Sequence, residues 1–207
     1  MVDGFPSGRD GTRLRMIRSR SDYLAYLEAD RLALGRAGMP PLVLLQDPIW
    51  YFQRLLRKLE FYTNCRPGPL WWPLRMWLKL QMKRARLLLG FNIPLNTIGP
   101  GLMLIHEGDI LIHQNARIGS HARMNIGVVI GIGLTEEAVP VIGDHVLIEP
   151  GAKIFGGVTI ADWTHIGANA VVNRSVTEPG MVVAGVPAKV VKANPFYPGT
   201  ADTAGAK

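Results

Sequence analysis

The sequence predicts a mainly β chain, wound as a triangular parallel coil of six-residue repeats behind an N-terminal helical region. Two observations carry this. An aliphatic residue returns every six positions through Ile142, Ile148, Ile154, Ile160, Ile166 and Val172, and earlier through Ile112, Ile118, Met124 and Ile130 and through Ile98 and Leu104. Four positions after it stands a small or β-branched residue, as at Ala116, Ala122, Val128, Val146, Ala152, Val158, Thr164, Ala170 and Val176. A period of six fits neither a helix nor a long strand. It fits a coil in which each unit makes one short strand and one corner, so that three units close a turn and the aliphatics form an interior column.

Composition agrees. Of 207 residues 48% are hydrophobic and only 19% charged, with 23 Gly and 15 Pro, which suits a turn-rich β architecture better than a bundle. The expected organisation is a flexible N-terminus over 1–19, a helical region over 20–90, the β-helix over 91–191 and a flexible tail over 192–207. The first helix is read over residues 20–35, capped by Ser21 and ended by Gly35. Asp47-Pro48 opens a second, to about Asn64, with Asp as N-cap and Pro at the first helical position. A third runs from about Leu70 to Leu89 and stops at Gly90.

The lone Cys65 excludes an internal disulfide and is read as a plain cysteine, not a catalytic thiol. The arginines of the first 20 residues precede no apolar stretch, so no secretory signal is expected, and no run is long enough to span a membrane. The expected location is the cytoplasm, with peripheral membrane contact as an addition. Net charge is +7, and between Pro48 and Gly90 nine Lys or Arg face the single Glu60. An anionic membrane surface, a phosphorylated substrate or nucleic acid answers to such charge, and so does a solvated helix face. Nucleic acid is not carried forward as a partner. Trp71, Trp72 and Trp77 give the third helix the make-up of an amphipathic surface helix, although packing against the end of the solenoid or another protomer is the preferred reading.

Two interruptions break the repeat, and interruptions in solenoids map to loops that often carry function. Leu104 to Ile112 spans eight positions and contains His106, Glu107 and Asp109; Ile130 to Ile142 contains the non-repeating stretch 131–140.

With these repeats, and with Gly185-Val186-Pro187-Ala188-Lys189 closing them, the chain resembles the hexapeptide-repeat acetyltransferases, whose fold is a left-handed parallel β-helix of hexapeptide repeats. The likeness is to the serine acetyltransferase branch. The stretches SDYLAYLEADRLALG, WYFQRLLRKLEFYTNC and NIPLNTIGPGL look like its polysaccharide-associated relatives. In that branch the catalytic histidine lies in an Asp-His-Ala-Thr-Gly segment; here the place reads Ile105-His106-Glu107-Gly108-Asp109, so the resemblance makes His106 the general base. The chemistry fits, because a hydroxyl attacking a thioester must lose its proton and a neutral imidazole accepts one near pH 7. Direct transfer without an acyl-enzyme is implied. His113, His121, His145 and His165 sit at outward positions of the repeat, with His113 or His121 bordering the acceptor pocket.

The chain departs from the branch in several places. Ile105 replaces the Asp before the histidine, the 131–140 loop lacks the branch's Arg-His pair, and Asn92 stands nearest to the carboxylate that orients the base. Glu107, Asp109 or a neighbouring chain's carboxylate is left to orient His106. Free serine is a zwitterion that needs a cation for its carboxylate, and the loop offers none. The leading expectation is therefore an acetyl-CoA-dependent O-acetyltransferase acting on a saccharide or glycoconjugate precursor in polysaccharide biosynthesis. Serine O-acetylation, a γ-type carbonic anhydrase and a non-catalytic hexapeptide scaffold are the alternatives. No metal is expected. The resemblance further implies a homotrimer with acetyl-CoA between protomers, its pantetheine along Gly151-Ala152 and Gly167-Ala168 beside Pro150, and Lys189 for the nucleotide phosphates.

Overall fold

The computed structural model of the chain describes residues 16–36, 46–133 and 138–198. Three helices come first. α1 (Arg20–Ala33) is capped by Ser19 rather than by the expected Ser21: the extended backbone at Ser19 lets its hydroxyl accept from the Asp22 N–H at 3.0 Å. α2 (Pro48–Cys65) opens as the sequence predicts, with Asp47 Oδ1 accepting from Trp50 N–H at 3.0 Å and Pro48 in the first turn. A 3-10 turn at Pro69–Trp71 leads into α3 (Trp72–Leu89). α3 ends at Gly90, whose φ of +77° closes the last turn by donating to Arg86 O at 2.9 Å. Leu78, Met82, Ala85 and Leu89 turn one face of α3 into the core, while Trp72, Met76, Trp77, Leu80, Leu87 and Leu88 stay exposed. Packing against the solenoid thus accounts for one face only. No described helix is long and apolar enough to cross a membrane.

The rest is a three-faced parallel solenoid of short strands. Face A stacks β1 (Phe91–Asn92), β3 (Ile110–Ile112), β6 (Val129–Gly131), β9 (Lys153–Phe155) and β12 (Val171–Val172). Face B stacks β4 (Arg117–Ile118), β7 (Val141–Ile142) and β10 (Thr159–Ile160). Face C stacks β2 (Met103–Leu104), β5 (Arg123–Met124), β8 (Leu147–Ile148), β11 (His165–Ile166) and β13 (Met181–Ala184), and ends on β14 (Lys189–Ala193). Register places each inward aliphatic on the next: Leu104, Met124, Ile148 and Ile166 on face C; Ile112, Ile130, Ile154 and Val172 on face A; Ile118, Ile142 and Ile160 on face B. Every one of these is at most 2% exposed. Each contributes about 1.5–3 kcal/mol by burial, and the small residues at the corners let the coil close around them.

The open ends of such a column need covers. At the top, Arg57 of α2 is fully buried between Asp30 of α1 and Glu60, and donates to Ile98 O and Gly99 O of the first coil at 2.9 and 2.7 Å. Asp30 Oδ1 in turn accepts from the N–H groups of Gly101 and Leu102, and Gln53 Nε2 donates to Leu102 O. At the bottom, β14 runs antiparallel to β13. Residues 192–198 of the tail are bound to the solenoid: Asn194 is buried, donates from Nδ2 to Trp163 O at 2.8 Å and from its N–H to Gly180 O at 2.7 Å.

Candidate active site

The edge where face C turns into face A gathers most of the residues singled out from the sequence. In successive coils that corner is made by 105–109, 125–128, 149–152 and 167–170, and the β13–β14 turn 185–188 stacks below the last of them through hydrogen bonds with Val171. His106, Gly151-Ala152 and Gly167-Ala168 therefore stand in file along one edge, about 4.8 Å apart per coil, and Lys189 follows that turn, exposed at the start of β14. The corner residues differ in what they can offer. Ala152 is fully buried in the column, its N–H on Glu149 O and its carbonyl on Val129 N–H. Gly151 and Gly167 also bond within the fold, to Ile126 O and Val183 O. Gly151 sits at φ +73°, where an added Cβ would lie 2.1 Å from Asn169 Oδ1. Ala168 is exposed, with neither backbone group bonded within the described residues.

The two extra residues between Leu104 and Ile112 form the corner loop that carries His106. The loop backbone is held on both sides: Ile105 N–H donates to Met124 O at 3.1 Å, Gly108 N–H to Leu89 O at 3.0 Å, Ile110 N–H to Gly90 O at 3.2 Å, and Asp109 O accepts from Gly127 N–H at 2.6 Å. His106 and Glu107 stand out from this frame, exposed. Neither Glu107 nor Asp109 bonds to the imidazole, which has no partner among the described residues; Asp109 lies against Gly90 instead. Asn92 is exposed on the outer side of face A, beside Leu111 in register.

From Asn92 a cleft of about 550 Å³ runs along face A, lined by Arg86, Pro94, Leu111, His113, Gln114, Val129, Ile132 and Phe155 among others. It ends where the non-repeating stretch leaves the solenoid; Glu136 and Glu137 of that stretch lie outside the described residues. Arg86 brings a cation to the cleft from the last turn of α3. Its Nη2 donates to Ile93 O at 2.5 Å, its Nε is buried without a hydrogen-bond partner, and burial lowers its pKa. No carboxylate pairs with it among the described residues. In the sequence alone Arg86 is one more charge on a basic helix. The available signal was its position between the buried Ala85 and Leu89, four residues before the helix stop.

Of the other histidines, His113 lines the cleft, and Asn115 N–H donates to its Nδ1 at 3.3 Å. His121 does not border the cleft. It lies on the B–C edge, where His121, His145 and Trp163 share φ near +60° in consecutive coils and stack with ring centroids 4.7 and 4.2 Å apart. Burial, and then the neighbouring His121, lower the pKa of His145. His165 pairs with Glu149 at 3.1 Å. The described residues contain no cluster of three or more His, Cys, Asp or Glu placed to hold a metal.

Residues 140–174 match the family model of the bacterial transferase hexapeptide (six repeats), so the chain carries the hexapeptide repeat of those transferases. It is 36% identical over 118 residues to a serine acetyltransferase of Mycobacterium tuberculosis (strain ATCC 25618 / H37Rv), covering 56% of this chain and 51% of that one. It is 40% identical over 97 residues to a serine acetyltransferase of Staphylococcus xylosus, covering 46% and 44%. The chain thus spans about half the length of these relatives. The structure of Neisseria gonorrhoeae serine acetyltransferase in complex with serine superposes with a TM-score of 0.63 at 26% identity, over 84% of this chain and 71% of that one. The fold is accordingly the left-handed parallel β-helix with an N-terminal helical region. The saccharide acceptor, and polysaccharide biosynthesis with it, is corrected by the same finding, since these relatives are named for serine. The 131–140 loop carries no cation for a serine carboxylate, but the cleft has one, supplied by a helix.

Proposed function

We propose that this chain is an acetyl-CoA-dependent O-acetyltransferase whose acceptor is the hydroxyl of L-serine. The observation that carries the reading is the 36–40% identity to serine acetyltransferases over 118 and 97 residues. The geometry supports it: the one imidazole exposed on the C–A edge is that of His106. Acetyl-CoA is the co-substrate, its pantetheine lying along the C–A edge beside Gly151 and Ala168 and its phosphates near Lys189. A homotrimer encloses it between protomers. His106, with its imidazole neutral, takes the proton from the serine hydroxyl as that oxygen attacks the thioester carbonyl. The tetrahedral intermediate collapses with cleavage of the C–S bond, and the imidazolium returns the proton to the departing CoA thiolate. O-acetylserine and CoA leave; no acyl-enzyme forms.

The test is release of free CoA from acetyl-CoA with L-serine, comparing the native chain with His106→Ala. Loss of a general base lowers the rate by about 10²- to 10⁴-fold, while CoA affinity stays unchanged. Equal rates in the two proteins would remove His106 from the mechanism, and no release with L-serine despite CoA binding would remove serine as the acceptor.

A further inference from the structure

We propose that Arg86 is the cation that holds the acceptor's carboxylate in the face-A cleft, and so sets the acceptor class as a hydroxy acid. This rests on the O-acetyltransferase reading and deepens it. A guanidinium has five N–H donors in a planar fork that matches a carboxylate. In Arg86 one of them, on Nη2, is used on Ile93 O, and the Nε–H is buried without a partner. A partly desolvated cation with no counter-ion costs free energy unless an anion from outside completes it.

The remaining lining selects which anion. Asn92 and Gln114 offer neutral carboxamides, and Leu111, Val129 and Phe155 make an apolar wall. Nδ1 of His113 accepts from Asn115 N–H, so the neutral ring carries its proton on Nε2 and acts in the cleft as a donor. No Asp or Glu lines the cleft among the described residues. The charge that the described lining offers is thus the one that answers a carboxylate.

The cleft is coupled to the base by the backbone. The loop of His106 is bonded through Gly108 and Ile110 to Leu89 and Gly90, and Gly90 is bonded to Arg86 O. The last turn of α3 thus fixes the cation and the loop of the base on one frame.

The experiment is calorimetric titration of the full chain with L-serine, 3-hydroxypropanoate (carboxylate but no ammonium) and L-serinamide (ammonium but no carboxylate). Native protein, Arg86→Gln and Arg86→Lys are compared, with CoA binding and thermal unfolding as controls on folding. The expected result is that Arg86→Gln weakens L-serine and 3-hydroxypropanoate by roughly 10- to 150-fold and leaves L-serinamide and CoA unchanged. Arg86→Lys recovers part of the loss. Serinamide binding to the native chain as tightly as serine, or equal weakening of all ligands in Arg86→Gln, or no binding of either carboxylate, overturns the assignment. If carboxylates bind through Arg86 but serine is not acetylated, the proposed function falls and this assignment stands. If serine is acetylated with Arg86 irrelevant to its binding, the reverse holds.

Discussion

Arg57→Met cuts the joint between the helices and the solenoid, and its cost follows from the contacts. The native guanidinium makes five hydrogen bonds: two to Asp30, one to Glu60 and one each to Ile98 O and Gly99 O. Methionine fills similar volume and makes none of them. Two carboxylates and two carbonyls are then left in a site where Arg57 and Asp30 are wholly buried and Glu60 nearly so. Breaking a buried ion pair on one side costs about 3–5 kcal/mol, which in a chain of this size is a fall in Tm of roughly 6–20 °C. The pH dependence is the sharper signature. Burial raises the pKa of Glu60, and Arg57 is the largest influence opposing that rise. Without Arg57 the folded-state pKa climbs further above the unfolded value, and a raised carboxyl pKa stabilises at low pH and loses that contribution as pH rises. The gap between native and variant should therefore widen from pH 5.5 to pH 8. Urea unfolding followed by tryptophan fluorescence at fixed protein concentration measures it. A variant within about 1 kcal/mol of native, or a gap that does not change with pH, would refute the reasoning.

Two further outcomes follow from the corners. His145 is held below its ordinary pKa by burial and by His121, against the pull of Asp144 and Asp162. Its folded state thus prefers the neutral ring, the unfolded chain binds more protons below about pH 6.5, and stability falls as pH drops through that value. His145→Phe keeps the stack with Trp163 and should flatten the acid limb of a Tm-against-pH profile; an unchanged limb would show that His145 is not its source. Gly151→Ala places a Cβ in the left-handed region and against Asn169 Oδ1. It should cost about 1–3 kcal/mol in thermal unfolding, and an unchanged Tm would contradict the corner geometry.

The parts of this molecule written in local periodicity were legible. A period of six is a steric requirement of a narrow triangular interior, so each aliphatic from Ile98 to Val172 announces its own inward position without knowledge of its neighbours. Asp47-Pro48 and Gly90 announce helix ends for an equally local reason, the φ angles and unpaired backbone groups of helix termini. Ser19 and Ser21 are both good caps, and only the extended backbone at Ser19 decides between them. The eight-residue gap where six were due marked the loop that holds His106, Glu107 and Asp109, and only the resemblance singled out His106 among them.

What lies between elements was not legible. That His106, Gly151, Ala168 and Lys189 share one edge depends on how many residues each corner takes, which the strand register sets. The stack of His121, His145 and Trp163 arises because equivalent corners superpose 18 to 24 residues apart along the chain. Arg86 gives the clearest division. The sequence by itself determined that a basic helix precedes a β-helix, since charge and period are properties of the chain. Only the tertiary structure decided which of nine cations is half-buried at a cleft with no carboxylate among its described lining residues, because desolvation and the lack of a counter-ion come from neighbours that the chain brings together by folding.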